Sequence, residues 1–261
     1  MSDEEARRNE MARKTIVLSV PGMEEASVRQ GLPYAGDLTL DVYAPPGMQP
    51  GERRPAVVFV FGFANPAFRK LKDTGGYVSW ARLVAASGLV AVTYECADPV
   101  ADGAAVLAHV REHAASLGID AQRLAVWAAS GNVPAALTML MREPRDAFRC
   151  AALLYGFMLD EGESTSVASA AGAYGFVPAT GRSVDDLPGE LPLFVARAGK
   201  DYPELNRVLD GFVARALARN LPLTLSNHAT GPHSFDLLDD SETSREIIRA
   251  IVAFLRFHLT R

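Results

Sequence analysis

Leu124-Ala125-Val126-Trp127-Ala128-Ala129-Ser130-Gly131-Asn132-Val133-Pro134-Ala135-Ala136-Leu137 is the stretch on which the reading of this chain turns. Its first half has the length and apolar composition of a buried strand; it stops at a serine among small residues, and an Ala-rich segment with helical spacing follows at once. Ser130 is therefore expected at a sharp strand-to-helix turn, which lifts a hydroxyl above the sheet edge and brings neighbouring backbone close. The usual pattern for such a turn is G-x-S-x-G, and here Ala128 and Asn132 hold the outer positions. Alanine meets the demand for smallness, and asparagine tolerates unusual backbone angles better than most residues. Taken alone, these residues describe a nucleophile or an N-cap serine equally well.

Outward from this point, strands and helices alternate. Thr15 to Val20 and Leu38 to Tyr43 read as antiparallel opening strands, set off by Pro21-Gly22 and Pro45-Pro46-Gly47. Pro55 to Phe61 is apolar throughout, as in a strand covered on both faces, and ends in Gly62. A helix over Tyr77 to Ala86, a strand over Leu89 to Glu95 and a helix over Ala101 to Leu117 lead to the strand Leu124 to Ala129. Helix Gly131 to Met141, strands Ala151 to Tyr155 and Leu191 to Ala198, helix Pro203 to Arg219, strand Pro222 to Leu225 and helix Ser241 to His258 complete the series. This order predicts an α/β fold: a mostly parallel eight-stranded sheet with helices on both faces. Residues 158–190, rich in Gly, Ala, Ser and acidic side chains, break the rhythm between strands 6 and 7 and are expected to form a short cap over the carboxyl edge of the sheet.

The 261 residues fit one domain, residues 15–261, behind a charged segment, residues 1–14, where Arg7, Arg8, Arg13 and Lys14 interleave with Glu4, Glu5 and Glu10. Apolar residues make up 49% and charged residues 22%, enough for a large core. A net charge of −5 without a basic cluster argues against a nucleic-acid partner. The first residues lack the apolar core of a signal peptide and no run reaches the length of a membrane span, so a soluble, cytoplasmic protein with no membrane partner is expected. Cys96 and Cys150 form no framework and read as free thiols in a reducing compartment. A homodimer is the default for such a protein, without residue-level support.

A serine becomes nucleophilic only when a base takes its proton and a third group orients that base. Of the five histidines, His109, His113 and His258 lie on helices and read as surface or boundary residues. His233 falls in Asn227-His228-Ala229-Thr230-Gly231-Pro232-His233-Ser234-Phe235-Asp236, a loop shaped by Gly and Pro after the last strand. It is preferred as the base over His228, which directly follows the strand. Asp201, after the strand Leu191 to Ala198 and the turn Gly199-Lys200, shares the sheet edge with Ser130 and the His233 loop. Asp236 is too near His233 in sequence to be the favoured acid, and Asp185 and Asp186 belong to the cap. Capping of the following helix is the alternative reading of Asp201.

The order and spacing of Val58-Phe59-Val60-Phe61-Gly62-Phe63, Ala128-Ala129-Ser130-Gly131-Asn132, Ala198-Gly199-Lys200-Asp201 and Gly231-Pro232-His233-Ser234-Phe235 carry a resemblance. From about Leu38 to its end the chain resembles the α/β-hydrolases, and among them small serine esterases of the acetylesterase and dienelactone-hydrolase type. The resemblance implies that Ser130 attacks an acyl carbon, His233 acts as general base and then acid, and Asp201 holds the imidazole. It also implies an oxyanion hole of the Gly131 and Phe63 backbone N–H groups, with Ala64 the next choice for the second donor and Gly62 allowing the close approach. Many relatives carry His-Gly-Gly where this chain has Phe61-Gly62-Phe63, which implies a more apolar wall. Asn132 either tightens the turn or supplies a hydrogen bond in the pocket; Tyr155 and Phe157, with Phe63 and Phe176, are expected around the substrate. The expected substrate is a small carboxylic ester, with no metal or cofactor. A thioester, lactone or amide suits the same triad, and outside the enzymes the alternative is a ligand-binding protein of this fold with negligible turnover.

Overall fold

The computed structural model describes residues 9–159, 165–179 and 182–261. Its strands are β1 (Ser27–Ala35), β2 (Leu38–Ala44), β3 (Arg54–Phe59), β4 (Val90–Tyr94), β5 (Ile119–Ala129), β6 (Cys150–Leu154), β7 (Leu193–Ala198) and β8 (Leu223–His228). The helices are α1 (Gly75–Ala86), α2 (Pro99–Glu112), α3 (Ala114–Leu117), α4 (Val133–Arg142), α5 (Thr165–Tyr174), α6 (Pro203–Ala218), α7 (Phe235–Leu238) and α8 (Glu242–Leu259).

All eight strands form one sheet in the order β1-β2-β4-β3-β5-β6-β7-β8. β2 runs antiparallel to both its neighbours, and every other pairing is parallel. β4 and β6 are buried at every position, and β3 at every position after Arg54, because helices cover both faces of the sheet. α8 buries Ile247, Ile248, Ile251 and Leu255 along one stripe against β5 to β8. Among the described residues no helix is long and apolar enough to cross a membrane.

This strand order fixes where a ligand can sit. From β3 the chain crosses one way to β4 and then returns past β3 to β5, so the carboxyl ends of β3 and β5 flank the point where the winding reverses. Phe61-Gly62-Phe63 leaves the first of these ends and Ser130 the second. The two exits stay in register, with Phe59 opposite Trp127 and Val60 N donating to Trp127 O at 2.9 Å.

Several expectations need correction. Thr15 to Val20 is not a strand: Ile16 and Leu18 are buried, but Ile16 N donates to Ser79 Oγ (3.0 Å) and Val17 N to Asp236 O (2.8 Å), so the segment runs extended over non-strand partners. The first strand is Ser27–Ala35, an edge strand with irregular register whose largely exposed Arg29, Gln30 and Pro33 hide the apolar alternation. The helix expected over Ala101 to Leu117 is two, α2 capped by the Asp98 side chain and α3 closed by Gly118 at φ 72°. β5 begins earlier and β8 ends later than the apolar runs suggest, so His228 is the last residue of β8. Residues 9–13 of the charged segment are helical, while residues 1–8 lie outside the described residues. The region expected to form a cap holds α5 and a 3-10 turn at Val184–Asp186, with residues 160–164 and 180–181 outside the described residues.

Candidate active site

Ser130 sits at φ 56°, in the left-handed region, where β5 ends and a 3-10 turn, Ser130–Asn132, leads into α4. A side chain held there costs about 1–3 kcal/mol and persists only when the surroundings dictate it. They do so through two glycines. A Cβ on Gly62 would lie 2.7 Å from Gly131 O and 2.9 Å from Asn132 Cα, and one on Gly131 would lie 2.7 Å from the tip of the Phe63 ring. The loop after β3 is thus pressed against the turn after β5. Ser130 caps no helix, since the N-cap of α4 is Asn132.

The Ser130 hydroxyl lies 2.8 Å from His233 Nε2, and His233 Nδ1 lies 2.7 Å from Asp201 Oδ2. His233 is partly exposed, whereas the Asp201 side chain is fully buried. The other Asp201 oxygen accepts Tyr202 N (2.8 Å), and Tyr202, not Asp201, occupies the N-cap position of α6, without a side-chain capping bond. Backbone bonds lace the two loops together: Gly199 N donates to His228 O (2.8 Å) and Lys200 N to Gly231 O (2.9 Å). His228 faces elsewhere, with Nε2 2.8 Å from Asp239 Oδ2 and 3.0 Å from Ser244 Oγ at the start of α8. The structure brings together Ser130, His233 and Asp201 and leaves His228 apart.

Asn132 is buried and bridges the two exits. Its Oδ1 accepts Gly62 N at 2.7 Å and its Nδ2 donates to Tyr77 O–H at 2.5 Å. Beyond Gly62 the loop pairs with the segment after α5: Val177 N donates to Gly62 O (2.8 Å), Ala64 N donates to Gly175 O (3.3 Å), and Phe63 faces Phe176 in a single antiparallel bridge. Ala64 N is therefore engaged.

The sequence matches no family model and no curated protein. Solved structures are similar over nearly the whole chain. An esterase from the fungus Rhizomucor miehei superposes with a TM-score of 0.71 at 17% identity, covering 99% of this chain and 89% of its own. A thermostable esterase from Pseudomonas putida ECU1011 gives 0.73 at 18%, covering 99% and 91%. A thermophilic esterase from Thermogutta terrifontis gives 0.65 at 18%, covering 90% and 93%. The chain has the α/β-hydrolase fold.

In this α/β-hydrolase fold two cavities meet at Ser130. One, of about 390 Å³, is lined by Phe63, Tyr77, Trp80, Trp127 and Tyr155 and reached by Met11 and Ala12 of the N-terminal helical turn. The other, of about 450 Å³, is lined by Gly131, Phe157, Tyr174, Phe176, Tyr202 and His233. The aromatic residues expected around a substrate are thus divided: Tyr155 belongs to the first cavity, Phe157 and Phe176 to the second, and Phe63 to both.

Sequence reading missed the floor of the first cavity. Asp236 is buried there, accepting Trp80 Nε1–H (2.7 Å) and Tyr155 O–H (2.6 Å). Burial pushes its carboxyl above the ordinary carboxylate range, against the pull of those two donors and of nearby His233. Burial first, and then the charge of Asp236, push the Tyr77 and Tyr155 phenols up, so both stay protonated. The Tyr155 ring stands edge-on to His233 with centroids 4.9 Å apart. Tyr77 and Trp80 share a face of α1 by their spacing, but no sequence signal shows that this face borders a cavity. Among the described residues no cluster of His, Cys, Asp or Glu could hold a metal ion.

Proposed function

We propose that the protein is a serine hydrolase that cleaves a carboxylic ester through an acyl-enzyme intermediate. The observation that carries this reading is the unbroken line from Ser130 Oγ to His233 Nε2 (2.8 Å) and from His233 Nδ1 to Asp201 Oδ2 (2.7 Å). Ser130 Oγ adds to the ester carbonyl carbon while its proton passes to His233 Nε2, and Asp201 holds the Nδ1–H and stabilises the imidazolium. The carbonyl oxygen, now an anion, is received by Gly131 N–H and Phe63 N–H, each such donor being worth about 10²–10³ in kcat. Collapse breaks the bond to the alcohol oxygen, which leaves with the proton from His233. A water then adds to the acyl carbon, His233 takes and returns its proton, and the carboxylic acid departs from Ser130.

Chromogenic esters test the reading. Hydrolysis by the native protein, its abolition in Ser130→Ala, and attachment of a serine-directed phosphonate to Ser130, seen by mass spectrometry, are expected. Undiminished hydrolysis in Ser130→Ala overturns the assignment of the nucleophile. Absence of both hydrolysis and labelling, with a small ligand still raising Tm, favours a binding protein of this fold.

A further inference from the structure

The two cavities at Ser130 are not equivalent. Under the hydrolase reading, on which the inference rests, His233 hands a proton to the departing oxygen, so the alcohol part of the ester lies on its side of Ser130. His233 lines the 450 Å³ cavity under α5 and does not line the other. The acyl part is left with the 390 Å³ cavity beneath the N-terminal turn.

That cavity is far larger than an acetyl group needs, given that one water takes about 30 Å³ of liquid volume. Its walls include Tyr77, Trp80, Trp127 and Tyr155, together with Leu71 and Leu237. Most buried polar side chains around it are already engaged, both Asp236 oxygens by Trp80 and Tyr155 and both ends of the Asn132 amide by Gly62 and Tyr77, and the Trp127 indole N–H is the one left without a partner among the buried lining groups described. Lys70 is its sole lining cation among the described residues, largely exposed and 3.7 Å from Glu95. A charged acyl group would thus lose its water and gain at most one indole N–H in return. Aromatic walls favour an aromatic guest, because rings pack edge-to-face and offset against one another. We infer that the substrate is an ester of an arylalkanoic acid, its ring held in the cavity of Trp80 and Trp127 and its alcohol part under α5.

The experiment compares kcat/KM for the 4-nitrophenyl esters of acetic, hexanoic and phenylacetic acids, which share one leaving group. The phenylacetate is expected to exceed both others by about tenfold, the discrimination that a few well-packed carbons provide. Leu71→Trp, which fills the cavity, is expected to lower the phenylacetyl-to-acetyl ratio by about tenfold; Leu237→Trp replaces it should the first variant fail to give a native circular-dichroism spectrum. Tyr174→Ala, in the other cavity, is expected to change the ratio of 4-nitrophenyl to methyl phenylacetate and to leave the acyl ratio alone. Preference for acetate or hexanoate, or an acyl ratio untouched by both tryptophan variants, overturns the inference while hydrolysis of acetate sustains the hydrolase reading. No hydrolysis of any ester together with no phosphonate on Ser130 removes both.

Discussion

Asn132 Oδ1 holds Gly62 N at 2.7 Å, joining the turn after β5 to the loop after β3 at the position where the common elbow pattern has its last glycine. The departure from that pattern is thereby explained. The side chain lies between two backbone segments and holds the loop that carries Phe63.

Asn132→Ala leaves the Gly62 N–H and the Tyr77 hydroxyl without this partner in a buried place. The expected loss of stability is about 1–3 kcal/mol, measured by urea denaturation. The kinetic effect should fall on kcat more than on KM, since a displaced anion donor is felt in the transition state. A variant with native kcat would detach Asn132 from the alignment of that loop.

Asp201→Asn keeps the shape of the side chain but no longer favours the imidazole tautomer with a proton on Nδ1. A fall in kcat of about 10⁴-fold is expected, with an unchanged circular-dichroism spectrum. A rate near that of the native protein would transfer the orienting role to another group.

Asp236 gives a pH signature. Its folded-state pKa lies above the ordinary carboxylate value of 3.8, chiefly through burial. The native state therefore holds this proton more tightly than the unfolded chain does. The stabilisation is full below the ordinary value and is lost as pH rises through the folded value. The unfolding free energy of the native protein relative to Asp236→Asn should fall as pH is raised from below that value towards neutrality. A difference that grows with pH contradicts the sign.

Cys96 and Cys150 are buried, and burial pushes both thiols up to about 12. Neither is thiolate at neutral pH, so iodoacetamide should modify neither in the native protein and both in urea, as counted by mass spectrometry. Rapid labelling of one of them in the native state would mean that its surroundings open.

The features legible in the sequence are those that arise from strong local physics. The largely apolar runs within β3, β4, β5 and β6 announce strands buried on both faces, and the small residues around Ser130 announce a tight turn. Chain order then sufficed to bring Ser130, Asp201 and His233 to one edge. β1 was missed because an edge strand buries little, so Arg29, Gln30 and Pro33 carry no alternation. Thr15 to Val20 misled because burial of Ile16 and Leu18 against helices imitates the pattern of a strand. The cluster of Asp236, Trp80 and Tyr155 joins residues as far as 156 positions apart, and nothing local records that an indole and a phenol share one carboxylate.

The bridge between Phe63 and Phe176 ties the loop after β3 to the segment after α5. Because the same few bonds serve the segment over the 450 Å³ cavity and the backbone beside Ser130, a substitution that loosens the one is expected to be felt at the other.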